Sequence, residues 1–276
     1  MSKMKTATLA AAAAAATLCL AAAPVLAQSG VTKDELKCES GTGKALSKFT
    51  GSKSKCASKC FVAARKTMGP YTGCFAPYAD PTTHTCITDP LKGAEAKAEA
   101  AIVKACTKDC PECYNPTNCS TGNPFVSNTE ALIDLQGPSA YCVENATTTP
   151  TKGEAKCEDG NVKALTKLVG ALDKCYDKCN TNVFNGKIPE GSCVPGDGTP
   201  NPTDVPTREC LAKAVGKSAA SINKACFIAP ATAPACYDGS LTRPNTGAGW
   251  SALVKGIVDA QTPGIACGSA SGAFLD

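Results

Sequence analysis

The 276-residue sequence contains one histidine, His84, and one tryptophan, Trp250. A single histidine rules out an H-E-x-x-H metalloprotease helix and a two-cysteine, two-histidine zinc finger. No C-x-x-C-H occurs, so covalent haem attachment is excluded. There is no G-x-S-x-G nucleophile turn: the nearest approach, "GSASG" at 268–272, has Ala270 in the middle position. "GTGKA" at 41–45 lacks the frame of a phosphate-binding loop. Aromatic residues make up only 5% of the chain, too few to interleave with basic residues as base-stacking platforms. The formal net charge is +4, which is not by itself the signature of a polyanion-binding protein. Beyond the N-terminus no apolar run is long enough to span a bilayer, and no segment alternates as a strand does.

Cysteine is abundant where these residues are scarce. There are nineteen. "MSKMK" followed by an alanine-dominated apolar run and "VLAQ" has the order of a secretory signal peptide, residues 1–27, with cleavage expected after Ala27. Its removal takes away Cys19 and leaves eighteen cysteines, an even number in an exported chain, and so predicts a disulfide framework. It also takes away Lys3 and Lys5, which brings the net charge to about +2. The expected location is therefore secreted or periplasmic.

The cysteines recur. "CESGTGKALSKFTGSKSKCASKC" (38–60) aligns without gaps to "CEDGNVKALTKLVGALDKCYDKC" (157–179), and later cysteines continue in step. "CYNP" at 113–116 is echoed by "CYDG" at 236–239. The expected organisation is a tandem: repeat 1 at 28–146, a linker at 147–156 and repeat 2 at 157–276. Each repeat reads as a long helix (43–61 and 162–180), a Pro/Gly-rich loop, a second helix and a third, shorter one (128–136 and 249–260). Asp89 before Pro90, and Thr207, are the expected N-caps of the second helices. The predicted class is all-α: two disulfide-stapled antiparallel helical hairpins, each with a third short helix and long loops.

In "KCASKC" and "KCYDKC" the two cysteines are one turn apart. Their Cβ atoms are then about 5–6 Å apart, too far for the ~3.8 Å that a disulfide prefers, so each must reach off the helix. If the first two helices run antiparallel, Cys38 meets Cys106 and Cys56 meets Cys86; the counterparts are Cys157 with Cys226 and Cys175 with Cys210. Cys60–Cys74 and Cys179–Cys193 then tie down the loops. Cys113–Cys142 and Cys236–Cys267 are expected to close the third segments within each repeat. Cys110 and Cys119 both lack a counterpart in repeat 2, and so are expected to bond to each other.

"CPEC" (110–113) resembles the redox motif of thioredoxin-like oxidoreductases over four residues. In that family the motif follows a strand and opens a helix, whose dipole favours a thiolate; here it follows a helix, whose dipole opposes one. The reading is structural. His84 and the turn "PGDGTPNPTD" (195–204) do not have the spacing of metal sites. Glu95 and Glu99 sit among lysines and read as solvated charges. The remaining pattern is basic: Lys44, Lys48, Lys55 and Lys59 recur as Lys163, Lys167, Lys174 and Lys178, and each set falls in a sector of roughly 60° opposite the apolar face. The expectation is a non-enzymatic structural or interaction protein of a bacterial periplasm or cell surface, without a cofactor. Its partner is unknown. The alternative is a binding module that holds an anionic polysaccharide, lipopolysaccharide or extracellular DNA on these lysines.

Overall fold

The computed structural model describes residues 31–67, 71–142, 150–189, 191–193, 202–228 and 233–267. The expected signal peptide and most of the turn at 195–204 lie outside the described residues. Among the described residues there are eight α-helices and no strand: α1 (Lys33–Thr67), α2 (Pro81–Thr88), α3 (Ala94–Ala105), α4 (Pro116–Thr121), α5 (Asn123–Ala140), α6 (Lys152–Phe184), α7 (Val205–Cys226) and α8 (Gly247–Ile265). None of them is long and apolar enough to cross a membrane.

The long helices extend well past the expected bounds. α6 starts at Lys152, inside the expected linker, because Thr151 and Glu154 form a reciprocal capping box: Thr151 Oγ1 accepts from the Glu154 amide, and the Thr151 amide donates to the Glu154 carboxylate. α2 stands where an unbroken loop was expected. Asp80 caps it by accepting from the Thr83 amide, and Pro81 opens it. Asp89 is therefore not the cap of α3. It ends α2, and its carboxylate accepts from the amides of Leu91 and Lys92. Pro90 holds Asp89 in an extended conformation, which stops the helix. α3 begins after Gly93, where a Cβ would lie 2.5 Å from the Ile87 carbonyl oxygen. α7 has no such break, and its cap is Asp204 rather than Thr207, whose amide donates to Asp204.

α3, α1, α6 and α7 lie side by side in one layer. α1 carries α3 through Cys38–Cys106 and α2 through Cys56–Cys86; α6 carries α7 through Cys157–Cys226 and Cys175–Cys210. Cys60–Cys74 and Cys179–Cys193 fasten the loops that follow the long helices, and Cys110–Cys119 closes the turn around α4. α1 and α6 cross antiparallel on small residues: a Cβ on Gly43 would meet Asp173 Oδ1 at 2.4 Å, and one on Gly170 would meet Ser47 Oγ at 2.9 Å. Glycine at both positions leaves room for these two side-chain tips in the crossing. α5 and α8 form a second layer, α5 chiefly on α1 and α8 on α6 and α7.

Two expected bridges are corrected. Cys113 bonds Cys267, and Cys142 bonds Cys236, so neither half closes on itself. The reason is the landing place of the third helices. The end of α5 packs with Cys157, Ile222 and Trp250 of the second half, while Cys267 and Ile265 pack with Leu46, Ala98 and Tyr114 of the first. Tyr114 Oη donates to the Ile265 carbonyl, and Tyr237 Oη donates to the Ala140 carbonyl at 2.8 Å. Each Cys-Tyr pair, 113–114 and 236–237, thus grips the last turn of the helix that belongs to the other half. Cys142 and Cys267 both have φ of 49°, in the left-handed region. That conformation turns the chain sharply off the helix end.

Candidate functional site

The structure places all eight lysines of the repeated pattern on the exposed surface: Lys44, Lys48, Lys55 and Lys59 on α1, and Lys163, Lys167, Lys174 and Lys178 on α6. Because the helices are longer than expected, the pattern is longer too. Lys33, Lys37 and Lys66 extend it on α1, and Lys152 and Lys156 on α6; all five are exposed. The steps along α1 from Lys33 alternate four and seven residues up to Lys66, and α6 repeats them from Lys152 to Lys178. Eleven residues make three turns with a drift of only about 20°, so lysine pairs recur along one line every ~16.5 Å.

The antiparallel crossing brings both lines to one side. On each helix the lysines lie roughly a quarter turn from the contact line, in the same rotational sense. For antiparallel neighbours that sense leads to the same side of the pair. The result is a face of thirteen lysines, seven from α1 and six from α6, opposite the α5/α8 layer. Two acids temper it at its edges: Asp177, 3.2 Å from Lys44, and Asp34, 2.5 Å from Lys37. In a chain of formal charge +4, this is a strong segregation of charge. The five outer lysines are legible as a period in the sequence once the helix bounds are known.

Lys53, which falls off the period, is fully buried. It pairs with Glu130 and with Asp134 (2.7 Å) of α5 and sits 4.9 Å over the Tyr78 ring. Tyr78 Oη donates to Asp134. Glu95, expected to be solvated, is corrected to a half-buried member of this cluster. Desolvation, followed by the neighbouring Glu130 carboxylate, pushes it up to about 7. A second buried charge ties the two halves together. Arg65 near the end of α1 donates to Glu158 and Asp159 near the start of α6, both at 2.8 Å. Burial pushes Glu158 up to about 7 despite Arg65. Burial also pushes Asp173 up to about 6.

These raised carboxyls set a pH dependence. In the folded chain they hold protons at pH values where the unfolded chain has already lost them, so the fold loses stability as pH rises from about 4.5 to about 7. Asp80 and Asp89, held low by their hydrogen bonds, act in the opposite sense and lose their contribution only in stronger acid. The guanidinium midpoint is expected to peak near pH 4.5–5 and to decline toward pH 7.5, with a shallower decline in Glu158→Gln. A midpoint that rises steadily from pH 4.5 to pH 7.5 would contradict the assignment of these groups.

Between α5 and α8, with α1 and α6 as its floor, runs a cleft of about 220 Å³. Its walls are largely aliphatic. The other sequence candidates carry little chemistry. Cys110 and Cys113 of "CPEC" are bonded to Cys119 and Cys267, not to each other. His84 is exposed on α2, beside Thr88 Oγ1 at 3.2 Å. The sulfurs of Cys38, Cys106 and Cys119 lie within 4.8 Å of one another, but each is half of a disulfide, so no thiolate is there to ligate a metal. No family model, no curated protein and no solved structure matches this chain.

Proposed function

We propose that the protein is a non-enzymatic, extracytoplasmic binding protein that lays its lysine face along an acidic polysaccharide. The observation that carries this reading is the eleven-residue lysine period on two antiparallel helices. A solvated surface needs only interspersed charge, whereas this one segregates a single sign on one side of the fold. An extended polyanion with regularly spaced carboxylates or sulfates matches a flat array with regular spacing. The scarcity of aromatic side chains disfavours stacked bases. Nine disulfides suit an oxidising compartment, and the N-terminal segment 1–27 reads as the signal that delivers the chain there.

The chain is, on this reading, a tandem of two related units that have exchanged their third helices. The pseudo-twofold arrangement follows from reciprocal contacts: Ser47 meets Gly170, Gly51 meets Thr166, and each Cys-Tyr pair grips the other unit. Duplication doubles the lysine lines, and the exchange keeps them parallel and rigid. Rigid presentation lowers the ordering cost of multivalent contact.

Retention on immobilised polygalacturonate or heparin tests the proposal. Binding should weaken log-linearly with salt, and Lys48→Gln, Lys55→Gln, Lys167→Gln and Lys174→Gln together should weaken it at least about tenfold with the helical circular dichroism unchanged. Equal retention on neutral dextran, or affinity indifferent to the four substitutions, would overturn it.

A further inference from the structure

The lysine face extends beyond α1 and α6. α3 and α7, which flank them, carry the same steps: Lys97 and Lys104 of α3 are seven residues apart, and Lys213, Lys217 and Lys224 of α7 are four and seven apart. All five are exposed. They lie a quarter to a third of a turn from the line on which α3 meets α1 and α7 meets α6, in the sense that leads to the lysine side. Small residues fix the register. A Cβ on Gly41 would lie 2.3 Å from Ala105 Cβ, and one on Gly160 would lie 2.6 Å from Ala225 Cβ. Counted from these contacts, Lys97 stands across from Lys48 and Lys104 across from Lys44. In the second half Lys217 stands across from Lys167, and Lys224 across from Lys163. Each half thus has one shallow groove with lysines on both sides, and the two grooves are equivalent.

The seam between α1 and α6 is different. A carboxylate of α6 faces α1 at each end of it: Asp177, 3.2 Å from Lys44, and Asp159, 2.8 Å from Arg65. Among the described residues, the outer walls of the grooves turn no acid toward the lysines. Of the acids of α3, Glu95 belongs to the Lys53 cluster, and Glu99 accepts from Asn123 Nδ2 at 2.9 Å on the α5 side. α7 carries a single acid, Glu209, about two turns before Lys217. A polyanion therefore meets less like charge in either groove than along the seam. Packed helices are about 8–10 Å apart, so the two grooves are separated by about 16–20 Å. Charges that far apart are largely screened at physiological ionic strength, where the Debye length is ~8 Å. Two polyanions can occupy the grooves together.

We propose that the protein is bivalent: the α1/α3 and α6/α7 grooves each hold one acidic polysaccharide chain, so that one molecule cross-links two neighbouring chains. This rests on the polysaccharide reading above and adds to it a stoichiometry and a role, the joining of strands in a matrix. The crossed bridges hold the two halves together, so the two strands are set side by side at a fixed separation.

The full mature chain is titrated calorimetrically, in low salt without calcium, with an oligogalacturonate too short to reach both grooves. Light scattering of long polygalacturonate on addition of the protein is followed in parallel. Two oligomers per molecule and a rise in scattering are expected. Lys97→Gln with Lys104→Gln should weaken one of the two sites at least about tenfold and leave the other within about twofold. The same variant should suppress the rise in scattering, while retention on immobilised polygalacturonate and the helical circular dichroism persist. Lys217→Gln with Lys224→Gln should behave alike at the other site. One oligomer per molecule, retention of the polymer without a rise in scattering, or two sites that ignore the α3 substitutions would overturn the bivalent assignment alone. Neither binding of the oligomer nor retention on the polymer would overturn it together with the polysaccharide reading.

Discussion

Serine at Cys113, Cys267, Cys142 and Cys236 is expected to cost about 2–4 kcal/mol for each of the two bridges removed, and to split unfolding into two transitions. These bridges close the longest separations in the chain, 154 and 94 residues. In a chain-entropy account the longest loops gain most, although the other seven bridges already shorten the effective loops. The stronger expectation concerns cooperativity. With both bridges in place, the last turns of α5 and α8 are anchored in opposite halves, and neither half can open without disturbing the other. Without them, the connection rests on the α1/α6 crossing, the Arg65 pairs and the two tyrosine–carbonyl hydrogen bonds. Guanidinium unfolding followed at Trp250 reports the second half, and far-ultraviolet circular dichroism reports both. Coincident curves in the intact protein and separated curves in the variant are the expected result. Coincident curves in both would show that the crossed bridges do not couple the halves.

The second large effect is at Lys53. Lys53→Ala removes a fully buried side chain and the cation that holds Glu130 and Asp134, and is expected to cost about 3–5 kcal/mol. Part of this is volume and part is charge. Lys53→Met keeps most of the volume and should cost less, about 1–3 kcal/mol. Adding Glu130→Gln and Asp134→Asn to Lys53→Met should recover most of that loss, because carboxylates then no longer face one another and Glu95 without a cation. If the triple variant is no more stable than Lys53→Met alone, the charge cluster is not the source of the effect. Urea or guanidinium midpoints at one pH suffice for the comparison.

Much of this architecture was legible from cysteine spacing. In the second half Cys157 and Cys175 meet Cys226 and Cys210 along one antiparallel helix, α7, as a rise of ~1.5 Å per residue implies. In the first half Cys38 and Cys56 find the expected partners although Cys86 lies on α2 and Cys106 at the end of α3. The absence of Cys110 and Cys119 counterparts identified that pair in the same way. Helix ends were less legible. Asp80-Pro81 and Asp89-Pro90 carry the same start signal, yet only the first opens a helix, because the chain around 89–93 is spent on a turn packed beneath Gly93. The lysine period is half visible for this reason: its outer members fall outside the expected helix bounds, 43–61 and 162–180. The desolvation of Glu95 is not legible locally, because only the fold brings Glu130 beside it.

What the sequence determined by itself is local: the helical class, the two-copy cysteine spacing, the staples within each hairpin and the lysines on one side of each long helix. These follow from periods of 3.6 residues and from reach along a single element. Only the tertiary structure decided how the halves combine. Closing Cys113 with Cys142 or with Cys267 satisfies the same spacings, and the choice depends on where α5 and α8 land. That is set by packing of Tyr141 on Phe61 and of Ala140 beneath Tyr237, contacts between residues 80 to 97 positions apart in sequence. The same crossing turns two separate lysine lines into one face and leaves an apolar cleft on the other. Both depend on the antiparallel approach of α1 and α6, which no single helix encodes.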